Sequence, residues 1–178
     1  MKINSEISYD VLKNGFAALL QSNVQTSAEN FSFCLADDNI PLPHRILISH
    51  ILGLLYYRIG ALFNGAKFLK LATDLEKQYQ KVQISLHTTH EVSLLDHLKG
   101  DLFRTEKYYI ASYNTLKKMS NKEGMSFCLK SLGELSLTNG DVVRTEKLWH
   151  ESYRLFRHID FAEKDIISDW LELLKTVS

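Results

Sequence analysis

Histidine is concentrated in one short stretch of the chain. His87 and His90, in the run His87-Thr-Thr-His90-Glu91, stand one helical turn apart, and His97 follows two turns beyond His90. On a helix, three imidazoles at this spacing can hold a metal ion. The pattern is not His-Glu-x-x-His: Glu91 directly follows His90 and so points away from the face the histidines share. A metal- or small-ligand-dependent enzyme using His87, His90 and His97 is therefore one alternative, and an ordinary solvated face is the plainer one. The other reactive residues point to packing. Cys34 and Cys128 lie on separate apolar segments, as small buried hydrophobes do. A cysteine nucleophile would need a positioned base and an oxyanion hole, and no loop here looks able to supply the second. Glu163 and Asp165 fall on opposite helix faces as solvated charges. The expectation is a protein without catalytic residues, metal or cofactor.

The elements that carry these residues read as helices. The chain has 178 residues, 45% apolar and 24% charged, which suits one soluble domain or one short array of repeats. Lys+Arg and Asp+Glu both total 21. This balance gives no basic excess for displacing counterions from a nucleic acid, so none is expected as a partner. Lys2, Glu6, Asp10 and Lys13 break any apolar signal segment at the start. The most hydrophobic stretch, Ile46 to Tyr57, contains Ser49 and His50 and is too short to span a bilayer. A reducing cytoplasm and no membrane are expected. The only prolines, Pro41 and Pro43, mark a loop together with Asp37 and Asp38. Elsewhere apolar residues recur at helical spacing, as at Leu52, Leu55, Tyr56, Ile59 and Phe63, and no strand is expected.

Gly60, Gly100 and Gly140 are 40 residues apart, and the last two open near-copies: Gly100-Asp101-Leu-Phe-Arg104-Thr105-Glu106-Lys107 and Gly140-Asp141-Val-Val-Arg144-Thr145-Glu146-Lys147. A chain that copies itself at a fixed period is a stack of one structural unit. Glycine ends a helix in the left-handed conformation, and the following aspartate caps the next one. The units fall at about 6–38, 43–81, 83–120 and 122–159, with helices at 6–21, 24–37, 43–59, 62–81, 83–98, 102–119, 122–138 and 142–158. A final helix at 161–176, with Asp160 as its N-cap, closes one end. The first unit turns at Ser22-Asn23 where the others have glycine. The copied Arg-Thr-Glu-Lys reads as a duplicated solvated face.

Five residues past each turn stands something small: Ser27, Gly65, Thr105, Thr145. Four further on stands something large: Phe31, Leu69, Tyr109, Trp149. Three further on the residue is small again: Cys34, Ala72, Ser112, Ser152. On the preceding helices Gly53 follows Leu52 and Gly133 follows Leu132, whereas the third unit has Val92-Ser93. This register resembles the tetratricopeptide repeat family over about residues 7–158, in the long variant found in kinesin-light-chain-like proteins and bacterial peptide-sensing regulators. The resemblance implies an all-α, right-handed α-solenoid of antiparallel helix pairs with a C-terminal capping helix. It also implies a concave groove, lined by the first helix of each pair, that binds a peptide or partner helix.

Projection from the turns places Tyr9, Lys13, His50, Tyr57, Arg58, His87, His90, His97, Lys130 and Glu134 in that groove. His50, His90 and Lys130 fall at equivalent places on successive units, as do Tyr57 and His97, so polar ladders are expected, and with them pH-sensitive binding. Lys13 and Lys130 match part of the family's carboxylate clamp, but His50 and His90 replace other members of it. The function expected is a non-catalytic adaptor or chaperone-like module for a protein or peptide partner. A peptide-sensing signalling regulator is the alternative, and homo-oligomers could form through exposed faces of Trp149 and Trp170.

Overall fold

A computed structural model describes residues 5–80, 101–157 and 163–177. All the regular structure in them is helical: α1 (Ser5–Leu20), α2 (Val24–Leu35), α3 (Leu42–Arg58), α4 (Leu62–Gln80), α5 (Leu102–Lys118), α6 (Lys122–Thr138), α7 (Val142–Phe156) and α8 (Glu163–Val177). The expected helix at 83–98, with His87, His90 and His97, lies outside the described residues, as do Gly100 and Asp160.

One turn is used repeatedly. At Gly140 the amide donates to the Leu137 carbonyl (2.8 Å) and the next amide, of Asp141, reaches back to Ser136 (3.0 Å). Gly60 with Ala61 and Ser22 with Asn23 make the same pair of bonds. The closing residue must take a positive φ, which costs glycine nothing: Gly60 is at 80° and Gly140 at 82°. Ser22 adopts the conformation at 58° without glycine's freedom. The next helix then starts on a side-chain cap. The carboxylate of Asp141 accepts from the Arg144 amide (2.9 Å), that of Asp101 from the Arg104 amide (3.0 Å), and the Asn23 side chain from the Thr26 amide (3.2 Å).

Pairing across each turn is antiparallel, because contacts close symmetrically around it. Gly15 faces Phe31, Gly53 faces Leu69 and Gly133 faces Trp149, sixteen residues apart each time with the turn midway. Nearer the turn Gly65 faces Tyr57. Further out, Ser126 and Ser152 exchange reciprocal hydroxyl-to-carbonyl bonds of 3.0 and 2.8 Å. The small residues let a large ring or leucine of the partner helix lie against bare backbone. A Cβ on Gly53 would stand 2.6 Å from the Leu69 side chain, and one on Gly133 would overlap the Trp149 indole.

Two features depart from expectation. The copied Arg-Thr-Glu-Lys segments are partly buried contacts and not a solvated face. Thr105 and Thr145 are buried, and Arg144 of the second copy pairs with Glu106 of the first. The α5 and α7 contacts join residues 38 apart, Glu106 with Arg144 and Tyr113 with Glu151, two places short of the 40-residue period. Secondly, Trp149 and Trp170 present no exposed face: both are fully buried, with ring centroids 5.1 Å apart. They join one large core with Leu12, Phe16, Phe31, Ile46, Ile51 and Leu174, while Leu69, Tyr109 and Leu132 centre a second. No helix among the described residues is long and apolar enough to cross a membrane.

Candidate functional site

Four ionisable side chains meet inside the molecule. Helix α3 contributes His50, α4 contributes Glu76, and α6 contributes Lys130 and Glu134 one turn apart. Each is at most 2% exposed. The Lys130 ammonium lies 2.9 Å from Glu76 Oε1 and 3.8 Å from Glu134 Oε1. His50 turns one ring nitrogen to each carboxylate: Nε2 is 3.3 Å from Glu76 Oε1 and Nδ1 is 3.5 Å from Glu134 Oε2. A protonated imidazole donates from both nitrogens, a neutral one from only one. With His50 protonated, two cations meet two carboxylates and the group carries no net charge.

Burial of four ionisable groups is costly, and it persists only when each is paired and hydrogen-bonded. Trp170 of α8 completes the enclosure. Its ring lies 5.1 Å from Lys130 Nζ as a cation–π partner and 6.4 Å from the His50 ring. The tryptophans are themselves pinned by hydrogen bonds: Trp170 Nε1–H donates to the Pro43 carbonyl (2.9 Å) and Trp149 Nε1–H to the Lys130 carbonyl (3.1 Å).

His50 beside two carboxylates has the ingredients of general acid–base chemistry. The space does not. The cavity bordered by His50, Glu134, Thr105 and Tyr109 has a volume of about 10 Å³, room for one water-sized molecule at most. No group of three or more His, Cys, Asp or Glu arranged to hold a metal occurs among the described residues. Within this cluster the Lys130 ammonium occupies the cation's place between the carboxylates.

The residues expected to line an open groove divide three ways. His50, Tyr57, Lys130 and Glu134 are buried, and His50 and Lys130 do come together, bridged by Glu76. They are covered because α8 lies against α1, α3 and α7, with Trp170 beside His50 and Lys130, and because α3 and α6 touch directly. An evenly spaced open stack would hold the second and fourth units apart. Lys13 and Arg58 are exposed and Tyr9 is half-buried. Arg58 donates to the Thr138 carbonyl at 3.2 Å, and Tyr9 packs edge-on to His44. His87, His90 and His97 lie outside the described residues.

Sequence reasoning missed Glu76. It sits near the end of α4, a second helix, and the repeat register assigns such helices to the outer side. The signal available was an acid seven residues beyond Leu69 on the packed face. Searches of known protein families, curated proteins and solved structures found no match to this chain.

Proposed function

We propose that this protein is a non-catalytic interaction module of tetratricopeptide-like helix pairs, wound right-handed, that receives a helix of a protein partner on the side formed by its first helices. The observation that carries this reading is α8. This helix, with Ile166, Ile167, Trp170 and Leu174 buried, packs against two first helices, α1 and α3, as well as against α7. The Asp169 carboxylate on α8 lies close enough to His44 of α3 to attract it by charge. A surface that holds one amphipathic helix through an aromatic anchor suits another of the same chemistry. The internal occupant also fits a peptide-sensing regulator, in which an incoming segment displaces α8 and so exchanges partners. Cys34 and Cys128, buried and not joined in a disulfide, are compatible with a reducing cytoplasm.

The test uses a fluorescent peptide spanning residues 163–177 and the full chain with Trp170→Ala and Leu174→Ala, which loosens α8. Binding is followed by anisotropy, with helicity checked by circular dichroism. The loosened chain should bind the peptide at least about ten-fold tighter than the unaltered one, a difference of ~1.4 kcal/mol. Equal affinity in two helical proteins would sink the reading.

A further inference from the structure

A second surface repeats with the chain, away from the first helices. Three residues past Gly60, Gly100 and Gly140 stand Phe63, Phe103 and Val143, which are 84%, 65% and 63% exposed. One helical turn further on stand Lys67, Lys107 and Lys147, all exposed. The first unit has Gln25 and Glu29 at the matching places, so the pattern belongs to the last three units. Packing gives no reason for an apolar residue at the first position, and exposed apolar side chains are informative when they recur together.

Helices α4, α5 and α7 set these six side chains in a row. Leu69 and Tyr109 share a core cluster, Glu106 pairs with Arg144, and the Tyr113 hydroxyl donates to Glu151 at 3.3 Å. These contacts fall at or within two places of the 40-residue register, so like positions on neighbouring helices lie close to level, and at roughly 10 Å between neighbouring helices the row spans about 20 Å. It has two lines: an apolar one near the turns and a basic one about 6 Å below it, one helical pitch along. No described residue forms an ion pair with any of the three lysines, and Lys107 rests over the Phe103 ring at 4.2 Å. By contrast Arg104 and Arg144 are engaged by Asp101 and Glu106. At α7 the row runs into an open depression of about 610 Å³, where Arg154 and Arg157 add positive charge beside Glu146 and Glu151.

We propose that this row docks an extended protein segment whose side chains alternate between acidic and apolar. An extended chain rises about 3.3 Å per residue and points successive side chains to opposite sides. About six residues would cross the row, with apolar groups on the phenylalanines and carboxylates on the lysines. Charge complementarity selects the acid. The carboxylates of Asp101 and Asp141, exposed at the helix tips, select against an anionic bilayer, which would meet them first.

A phage-displayed library of random peptides of about 12 residues, panned on the full chain and counter-panned on Phe63→Ser/Phe103→Ser/Lys107→Glu, tests this. All three positions are exposed, and a second variant, Lys67→Glu/Lys147→Glu, keeps both phenylalanines should the first lose its helical spectrum. The selected peptides should be rich in Asp, Glu and aromatic residues, and should bind either variant at least about ten-fold more weakly. Peptides without acidic residues, peptides indifferent to both variants, or no selection at all would overturn the proposal. So would row-dependent sedimentation with phosphatidylserine vesicles in the absence of such peptides. None of these results bears on the side where α8 lies.

Discussion

Lys130 is the residue on which the interior charge balance turns. Removing its ammonium leaves Glu76 and Glu134 facing each other in a sealed space with only His50 between them. Breaking a buried ion group on one side typically costs about 3–5 kcal/mol, because the remaining charge has lost both water and partner. Lys130→Met should therefore lower the urea midpoint sharply, whereas Lys130→Met with Glu76→Gln and Glu134→Gln should recover most of the loss. If the single and triple variants unfold alike, the cluster is not held by charge pairing. Cys34 makes a second prediction at this scale. Burial, helped by the nearby Asp37 carboxylate, pushes its thiol up to about 11. The folded state then holds the proton more tightly than the unfolded one. Its stabilising contribution is complete below the unfolded value near 9 and is lost as pH rises toward 11. Iodoacetamide should leave Cys34 unmodified at pH 9 until denaturant is added, and Cys34→Ala should flatten the alkaline fall in stability.

At the scale of elements, the repeated turn does most of the organising. Each Gly-Asp step combines a left-handed closing residue with a side-chain cap. Asp141→Ala removes the acceptor for the Arg144 amide and should cost about 1 kcal/mol, read as a lower melting temperature. The Glu106–Arg144 pair between neighbouring second helices is partly solvated, so its coupling in a double-mutant cycle should stay below about 1 kcal/mol. Gly133→Ala should exceed both, since an added methyl would collide with a fully buried indole. These elements were legible because they rest on local rules. Helical spacing, a glycine at the turn, a capping aspartate and a small residue opposite a large one are all short-range features of the chain. Ser22 shows the limit: it makes the same turn without the residue type that announces it.

For the whole molecule, α8 decides what remains accessible. Its contacts with α3 include His44, whose imidazole burial holds below the usual histidine value against the opposing pull of Asp169. The unfolded chain then takes up the proton first. Stability contributed at His44 is present above pH 6.5 and falls as the solution is acidified below it. Acid titration of the melting temperature should show this fall, and His44→Gln should reduce it. The sequence by itself determined the helices, the turns and the pairing of small with large side chains, because each is dictated within one or two units. It also placed His50 and Lys130 in one line. Only the tertiary structure decided that this line is interior. Direct contact of α3 with α6, and Trp170 arriving from the far end of the chain, turn a face of polar residues into a sealed charge cluster with Glu76 at its centre. Burial of a charge depends on what covers it, and the cover here comes from parts of the chain that no local period relates to the residues beneath.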